Sequence, residues 1–482
     1  MHSQKMAIKL ILLYLFLVLH TGITAKTINR YSVQLDTRPG PAGNGVTDIM
    51  QDGDYLWLGT GAGISRYDLS DREFVSFGNT EGLVKQGISA LFARNDTLLV
   101  AAGIDTFVKA IEATVDWGKG FSFSHDNGES WKYIEQPGVT PGQNVAWDFA
   151  LQNGVIWAAS FGGGLLRSDD WGETWEVRTP DSLIFDPNHI LNHLPFSLLY
   201  ADGILWVGTS GGINKSVDGG ETWENYTFTN QQKHISGNWV VNIAQQKYDE
   251  KDIIWACTWK AEGVDEVYAL SKTEDKGTTW QVVLEGERVY DLAFDGPTVY
   301  AASWTSGLWK SPDYGKNWYN IREINDRQRG ERIYSSEFYS VSASNDSLWV
   351  GTEDGLAFTE NNGYSWTLFR AFESTAQQDQ PRTYAYPNPF SSTRDNVLND
   401  IGHVRIQYHI KEAAQVTVRI YDFAMDLVTT VCNQKYRAGA GDYSEVWSGT
   451  NDYGDTVANG VYFYSVEISG DGTYWGKIMV VN

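Results

Sequence analysis

Three aspartates occupy matching places in short apolar runs of the chain, where their carboxylates could do acid–base chemistry. They are Asp48, Asp148 and Asp291, and Asn242 holds the corresponding place in a fourth run. Two carboxylates at a suitable separation can hydrolyse a glycosidic bond, one as the general acid and the other as base or nucleophile. The sequence gives no separation, and hydrogen bonding within the fold is the alternative role. These three aspartates are therefore the candidates for any catalysis.

Aromatic residues form a second candidate set, suited to binding rather than to reaction. Seven apolar runs end in small residues, and the positions just beyond them hold Gly61, Ile104, Phe161, Ser210, Trp259, Trp304 and Glu353. Three of the seven are large aromatics, and Trp239 lies in a neighbouring long loop. Exposed aromatic rings stack on sugar rings or other apolar groups. Phe161, Trp259, Trp304 and Trp239 are therefore predicted to contact a ligand, with gap filling between loops as the alternative.

Three histidines lie in the longest predicted loops, where binding sites tend to occur. His189 and His193 are four residues apart, and His234 lies in another loop. No Glu follows the first of the pair, so the helical zinc-protease motif is absent. All three are candidate ligand contacts, and solvated or loop-capping histidines are the alternative. The sequence predicts no metal site and no cofactor.

The elements that position these residues are set by an eight-residue repeat, Ser-x-Asp-x-Gly-x-x-Trp, with Thr at the first position in two copies. It occurs six times, at residues 124–131, 168–175, 216–223, 273–280, 311–318 and 359–366. Successive copies are 38 to 57 residues apart, a period that indicates a stacked or radial repeat fold. The third position holds Asp126, Asp170, Asp218, Asp275, Asp313 and Asn361, and the last holds Trp131, Trp175, Trp223, Trp280, Trp318 and Trp366.

The chemistry of this repeat is that of a turn. The Asp carboxylate can accept hydrogen bonds from backbone N–H groups of its own turn. The Gly can adopt positive φ without a steric penalty, and the Trp can pack between neighbouring units. The repeat therefore predicts structural roles for these residues, at the turn between the third and fourth strands of each unit. That turn lies on the face opposite the one where ligands usually bind.

Strand patterns around the repeat predict the architecture. Seven apolar strands precede or replace the copies, at residues 56–60, 98–103, 155–160, 204–209, 253–258, 299–303 and 348–352. About four short strands per ~48 residues, separated by turn residues, are typical of a β-propeller blade. Seven strand motifs predict seven blades over residues 26–372. Residues 31–36 are predicted to add an outer strand to the last blade and so close the ring.

The repeat resembles the Asp-box of sialidases, sortilin-type receptors, some xyloglucan-cleaving glycosidases and photosystem assembly factors. This resemblance implies the propeller fold and no single activity, because those families do unrelated things. The Arg-Ile-Pro motif of sialidases does not occur in the chain. The xyloglucanase families carry paired propellers, whereas this sequence predicts one.

A different pattern follows the propeller. Residues 373–383 are polar and aperiodic, which predicts a linker. Residues 384–482 contain alternating strands that predict an Ig-like β-sandwich. Residues 386–390, 447–454, 460–464 and 476–481 resemble the Ig-like domain of flagellar hook-capping proteins and the C-terminal sorting domains of type IX secretion. The predicted fold class is therefore all-β, a seven-bladed propeller followed by an Ig-like sandwich.

Charge and the N-terminal sequence predict where the protein works. The net charge of −23 disfavours nucleic acid and anionic membrane partners. Residues 1–25 combine two lysines with an apolar run too short to span a bilayer, as in a secretory signal peptide. The mature chain is thus predicted to have no transmembrane anchor and to be secreted or displayed on a bacterial surface. Only two cysteines occur, which excludes a disulfide scaffold.

These observations lead to three functional hypotheses. The first is a secreted binding or scaffold protein whose propeller binds a glycan or protein ligand and whose C-terminal domain engages a type IX-like secretion machinery. The alternative is an exo-acting glycoside hydrolase that uses the carboxylates of Asp48, Asp148 and Asp291, which lie on innermost strands predicted to line the central channel of the propeller. A third is an assembly factor similar to those of photosystems.

Overall fold

The computed structural model describes residues 23–24, 31–32, 36–38, 40–77, 80–108, 112–137, 144–261, 263, 265–373, 375–376 and 381–482. The chain divides into two compact units, the first comprising residues 1–333 and 337–371 and the second residues 334–336 and 372–482. The predicted end of the propeller at residue 372 lies one residue from this division. Most of the predicted signal peptide, residues 1–22, lies outside the described residues, as does part of the predicted linker.

The first unit is a seven-bladed β-propeller, as predicted, and each blade is an antiparallel sheet of consecutive strands. Three short strands precede the blades, namely β1 (Ile23–Thr24), β2 (Tyr31–Ser32) and β3 (Asp36–Arg38). Blade 1 consists of β4 (Val46–Asp52), β5 (Tyr55–Thr60), β6 (Gly63–Asp68) and β7 (Phe74–Ser76). Blade 2 consists of β8 (Gly87–Arg94), β9 (Thr97–Val108), β10 (Ala113–Ser124) and β11 (Ser130–Ile134). Blade 3 consists of β12 (Ala146–Gln152), β13 (Val155–Ser160), β14 (Gly164–Ser168) and β15 (Thr174–Arg178).

The remaining four blades repeat the same four-strand pattern. Blade 4 consists of β16 (Pro195–Ala201), β17 (Ile204–Thr209), β18 (Gly212–Ser216) and β19 (Glu224–Tyr226), and blade 5 of β20 (Trp239–Tyr248), β21 (Lys251–Trp259), β22 (Ala269–Thr273) and β23 (Gln281–Val283). Blade 6 consists of β24 (Val289–Asp295), β25 (Thr298–Ser303), β26 (Gly307–Ser311) and β27 (Tyr319–Ile321). A small hairpin of β28 (Asn325–Asp326) and β29 (Glu331–Arg332) precedes blade 7, which consists of β30 (Phe338–Ser344), β31 (Ser347–Thr352), β32 (Gly355–Thr359) and β33 (Thr367–Phe369). A single 3-10 turn, Leu191–His193, precedes blade 4 in the described chain.

The ring closes by packing of the inner strands β30 and β4, and the prediction that residues 31–36 would pair with the last blade is wrong. Ser340 Oγ donates to the carbonyl of Val46 at 3.0 Å across this junction. The N-terminal strands extend other blades instead. Strand β3 pairs with β7 of blade 1, β2 with β11 of blade 2 and β1 with β15 of blade 3. Blade 7 already draws its four strands from one stretch of chain, so it needs no strand from the N-terminus.

Each blade is a meander, so its connections alternate between two faces of the propeller. The turns after the second strands and the connections between blades share one face, here called the upper face. The eight-residue repeats and the turns after the inner strands share the other, the lower face. Every inner strand contains a one-residue bulge near its upper end, at Thr47, Ser89, Trp147, Phe196, Val241, Tyr290 and Tyr339. A bulge re-aims the extra side chain out of the regular ladder.

The repeat turns on the lower face form closed hydrogen-bonded loops. In the blade 4 copy, Ser216 Oγ donates to Asp218 at 2.8 Å, and Asp218 accepts the Thr222 N–H at 2.9 Å. Hydrogen bonds, the largest from the Thr222 hydroxyl, lower the pKa of Asp218 to about 2. In blade 6, Gly315 has φ of +81°, and a Cβ there would lie 2.5 Å from the Trp255 ring of blade 5. The copies therefore act as turns that also contact the preceding blade.

The second unit is a two-sheet sandwich. Its strands are β34 (Thr383–Tyr386), β35 (Val404–Ile410), β36 (Ala414–Tyr421), β37 (Leu427–Arg437), β38 (Gly441–Trp447), β39 (Gly460–Ile468) and β40 (Gly472–Val480). One sheet has the order β34-β35-β38 and the other β37-β36-β39-β40. Alternate residues of both sheets fill one apolar core, as an Ig-like sandwich requires.

A short segment runs beside strand β40 within this unit. Asn388 Nδ2 donates to the carbonyl of Lys477, and Asn388 Oδ1 accepts the N–H of Met479, both at 2.9 Å. The Phe390 N–H donates to the carbonyl of Met479 at 2.8 Å, and Phe390 is fully buried. The Tyr-Pro-Asn-Pro-Phe motif at residues 386–390 therefore pairs with part of the outer edge of β40.

No helix in the described part of the chain combines the length and apolarity that crossing a bilayer requires. The two cysteines are free thiols, Cys257 in the propeller and Cys432 in the sandwich. Cys257 is fully buried, and burial raises the pKa of its thiol. A thiol buried in this way is chemically inert.

Candidate functional site

Aromatic rings form a continuous series on the upper face of blades 3 to 7. Phe161 contacts Phe196 with ring centroids 5.0 Å apart, and Phe196 contacts Trp239 at 5.3 Å. Trp239 then contacts Trp259 at 6.3 Å. We call the whole series the aromatic arc and define it by Phe161, Phe196, Trp239, Trp259, Trp304, Tyr290 and Tyr339. It unites all four aromatic residues that the sequence singled out.

Three structural positions supply the arc, and one of them is the first residue of inner strand β20, where Trp239 lies instead of in the predicted loop. Phe161, Trp259 and Trp304 stand at or just beyond the upper ends of second strands, as expected from the sequence. Phe196, Tyr290 and Tyr339 are bulge residues of inner strands, and sequence reasoning missed them. A signal was present, because each immediately precedes the inner-strand polar position, Ser197, Asp291 or Ser340. Trp147, the bulge residue before Asp148, is a further aromatic at this level.

Exposure separates the arc into supporting and accessible rings. Trp239 is 36% exposed, and Trp147 beside the arc is 37% exposed. Phe161, Phe196, Trp304, Tyr290 and Tyr339 are half-buried. Trp259 is only 9% exposed, and its indole N–H donates to the carbonyl of Val289 at 2.9 Å. Trp259 therefore fills a gap between blades 5 and 6, which was the alternative to ligand contact for these residues.

Arg288 lies against the arc at the same junction. Its Nη2 donates to the Tyr268 hydroxyl at 2.7 Å. The guanidinium carbon lies 4.4 Å from the Tyr268 ring centroid and 5.3 Å from that of Trp304. Cation–π contacts of this kind hold an arginine side chain flat against aromatic rings. The arc thus carries one fixed positive charge.

Two glutamates lie at the blade 7 end of the arc. The Tyr339 hydroxyl is 2.6 Å from Glu337 Oε2 and 2.9 Å from Glu353 Oε2. Burial, followed by the charge of Glu353, raises the pKa of Tyr339. The phenol therefore stays protonated, and it can donate its one O–H to either carboxylate.

The three candidate aspartates line the central channel, as the sequence suggested. The channel is a cavity of about 810 Å³ whose walls are the inner strands of all seven blades. Asp148 accepts the Leu198 N–H of blade 4 at 2.7 Å. Asp291 likewise accepts the Val341 N–H of blade 7 at 2.9 Å, and the side-chain amide of Asn242 at 3.0 Å. Asp148 and Asp291 therefore link the inner strands of neighbouring blades.

The channel carboxyls resist ionisation. Burial raises the pKa of Asp148 to about 7 and that of Asp291 to about 6, against hydrogen bonds that lower both. Burial also raises the pKa of Asp48 well above its usual range, and the charges of Asp291 and Asp148 add to this. A carboxyl protonated near neutral pH can serve as a general acid. It is equally the expected state of an acid buried among like charges.

Comparison with known proteins supports the two folds. The FlgD Ig-like domain matches residues 395–472. No curated protein matches the chain.

Solved structures with a similar fold include three GH74 proteins. The GH74 xyloglucanase from Xanthomonas campestris has a TM-score of 0.52 at 14% identity, over 79% of this chain and 60% of its own. The Niastella koreensis GH74 enzyme has a TM-score of 0.53 at 13% identity, over 92% and 74%. An ancestral GH74 enzyme has a TM-score of 0.50 at 14% identity, over 93% and 63%. The chain thus spans 60% of the length of the Xanthomonas enzyme, and the likeness shows the propeller fold alone.

The three candidate histidines are engaged within their loops. His193 is buried, with Nδ1 accepting the Asp186 N–H and Nε2 hydrogen-bonded to Asp181 Oδ1, both at 2.8 Å. Both ring nitrogens are therefore occupied, which leaves His193 none for a ligand. His189 Nδ1 is 2.8 Å from Asp186, and His234 Nδ1 is 2.8 Å from the carbonyl of Ile235. Within the described residues, no group of acidic, His and Cys side chains has the geometry of a metal site.

Proposed function

We propose that this chain is a carbohydrate-binding propeller protein whose upper face holds a glycan against the aromatic arc. The observation that carries the proposal is the arc itself, because seven rings from five successive blades contact one another on one face. Aromatic rings that keep part of their surface accessible bind the apolar faces of sugar rings. Several adjacent rings can hold several sugar units in sequence.

The irregularity of the upper face also supports a binding role. The lower face repeats nearly the same turn in six blades, and its Asp side chains are consumed by hydrogen bonds within the turns. Together with the sequence pattern, this supports naming those turns Asp-boxes. The upper face differs from blade to blade, with Phe161 in blade 3, Trp304 in blade 6 and Glu353 in blade 7. Function on rigid scaffolds concentrates where loops vary.

An exo-acting glycosidase is the second candidate, and the raised pKa values of Asp148 and Asp291 favour it. Against it, each of these carboxylates already accepts backbone N–H groups from its own and the next blade. A catalytic acid that also joins two strands would have to break those bonds to reach a substrate. We therefore assign Asp148 and Asp291 to the scaffold.

The C-terminal sandwich is proposed to direct export by a type IX-like machinery, after the N-terminal segment directs the first membrane crossing. The match to the FlgD Ig-like domain and the resemblance of residues 386–390 and 476–481 to sorting domains support this role. Secretion to the medium or the outer surface would place the arc where extracellular glycans occur.

A glycan array with hydrolysis monitored in parallel tests the proposal. We expect retention of a subset of oligosaccharides without release of shorter products. The double variant Asp148→Asn with Asp291→Asn separates the two candidates, because it should leave glycan retention unchanged if the arc binds. Turnover by the unmodified chain that this double variant abolishes would establish the glycosidase instead. A chain that retains no glycan and releases no product would refute both.

A further inference from the structure

Arg288 is held in place by aromatic rings and a hydroxyl. The Tyr268 hydroxyl accepts from Nη2 at 2.7 Å, and the Tyr268 and Trp304 rings flank the guanidinium. No ion pair joins Arg288 to a carboxylate within the described residues. A guanidinium has five N–H donors in a planar fork, and one of them is used here.

Arg288 keeps this arrangement in a strongly acidic chain. The sequence has 60 acidic residues against 37 lysines and arginines, so carboxylates are in excess. Several other basic side chains of the propeller have acidic partners, whereas Arg66 also lies against two aromatic rings. Arg167 pairs with Glu176 at 2.8 Å, Lys247 with Asp202 at 3.0 Å and Arg370 with Asp354 at 3.2 Å. Arg288 therefore retains its capacity for a carboxylate, since none of the described acidic residues pairs with it.

The acidic side chains nearest to Arg288 along the chain and the arc have other hydrogen-bond partners. Glu287 Oε2 accepts the hydroxyls of both Ser303 and Ser306. Glu337 accepts the hydroxyl of Tyr339 at 2.6 Å. Burial, followed by the charge of Glu337, raises the pKa of Tyr290 to about 12, and the charge of Arg288 opposes this rise. The arc thus has a positive spot beside Trp304 and a negative edge at blade 7.

From this geometry we infer that the ligand is an acidic glycan, and that Arg288 binds a sugar carboxylate while the ring packs on the arc beside Trp304. The inference rests on the proposed carbohydrate-binding function and names its substrate class. A carboxylate matches the guanidinium fork with two parallel N–H···O bonds. Stacking against Tyr268 and Trp304 fixes the fork before the ligand arrives, which reduces the ordering cost of binding.

Uronic-acid oligosaccharides and their methyl esters give a matched pair of probes. Esterification removes the charge of each carboxylate and leaves the sugar rings unchanged. We would measure binding of galacturonate, glucuronate and mannuronate oligomers and their methyl esters to the full chain by titration calorimetry. For at least one sugar, the acid should bind about 10-fold or more tightly than its ester, as expected for one charge-assisted pair. Its affinity should also fall with added salt, because salt screens the pair.

Variants of Arg288 test whether this residue causes the preference for the acid over its methyl ester. Arg288→Gln should abolish the preference for the acid and leave ester affinity within about twofold of the unmodified chain. Arg288→Lys keeps the charge without the planar fork and should retain only part of the preference. Arg72→Gln is the matched control, because Arg72 of blade 1 carries the same charge in an exposed ion pair with Glu360 of blade 7. It should change neither affinity.

The outcomes separate this inference from the proposed function. Equal binding of acid and ester that Trp304→Ala weakens would refute the inference and leave the glycan-binding function standing. A preference for the acid that survives Arg288→Gln would also refute it. If no oligosaccharide binds but a peptide carboxylate does so through Arg288, both the glycan class and the proposed function fall.

Discussion

The rings of Trp259 and Trp304 lie 6.1 Å apart and only 15° from parallel, across the junction of blades 5 and 6. Trp259 is buried and hydrogen-bonded to Val289, whereas Trp304 keeps part of its surface accessible. One ring of the pair supports the fold and the other forms part of the proposed binding face. The two tryptophans, which look equivalent in the sequence, should therefore respond differently to substitution.

Trp304→Ala should lower glycan affinity by about 10-fold, because it removes an accessible ring, while the free energy of unfolding changes much less. Trp259→Ala should instead lower the free energy of unfolding by about 3–5 kcal/mol, as for other buried aromatics. Titration calorimetry and urea unfolding measure the two effects on the same preparations. Equal losses of stability in both variants would contradict the division of roles.

Asp148 should make the protein less stable as the pH rises through the neutral range. Burial raises the pKa of its carboxyl to about 7 in the folded state, above its value in the unfolded chain. The folded state then binds more protons between pH ~4 and ~7, so stability is lost as pH rises through this window. Urea unfolding of the unmodified chain and of Asp148→Asn should show that the free energy of unfolding of the variant, relative to the unmodified chain, increases by on the order of 4 kcal/mol between pH ~4 and ~7.

Asp202 is the control for the pH experiment, because its pKa is lowered in the folded state whereas that of Asp148 is raised. Hydrogen bonds from Lys247 and then Gln245 lower the pKa of this exposed carboxyl. The stabilisation of the folded state by the Asp202 carboxylate should therefore be present at neutral pH and lost as pH falls below about 4. If Asp148→Asn and Asp202→Asn give the same pH profile, the raised pKa assigned to Asp148 is wrong.

Gly315→Ala should destabilise the propeller by about 3 kcal/mol, because the new methyl group meets the Trp255 ring at 2.5 Å and the residue has φ of +81°. Gly219→Ala is the matched control, with φ of +74° and open space around a Cβ. It should cost only about 1 kcal/mol, the penalty for the left-handed backbone alone. Thermal unfolding of both variants makes the comparison, and similar values would show that Gly315 is not needed for blade contact.

Removal of residues 384–482 should stop export while leaving the propeller folded. The expected result follows from the proposed sorting role of the sandwich. Immunodetection of the cell surface and medium of the producing bacterium measures it, with proteolysis of the retained protein reporting whether the propeller has folded. Surface levels equal to those of the complete chain would exclude a sorting function.

Much of the architecture was predictable from local chemistry. The repeat carries its own turn geometry in Asp218 and Gly315, so its copies mark the blades without any knowledge of tertiary contacts. The channel position of Asp148 followed from its place in the inner strand. Its hydrogen bond to Leu198 did not, because that bond joins residues of different blades and depends on how the blades pack.

The misses have a common physical origin. Tyr290 and Tyr339 belong to the arc because a bulge re-aims them, and alternation of apolar and polar residues does not reveal which residue is extra. Trp259 looked like Trp304 in the sequence, but the neighbouring blade buries it. The outer strands β1 to β3 pair with blades 1 to 3 through backbone bonds that any extended segment can make, so their side chains did not specify the partner.

The pairing of Asn388 and Phe390 with strand β40 affects how readily this protein aggregates at high concentration. An open strand edge can recruit an identical strand from another molecule. Asn388 presents an amide that imitates a peptide group, and it occupies the backbone sites of Lys477 and Met479. Part of the last long strand of the chain is thereby closed to intermolecular pairing, which favours solitary molecules over fibrous aggregates.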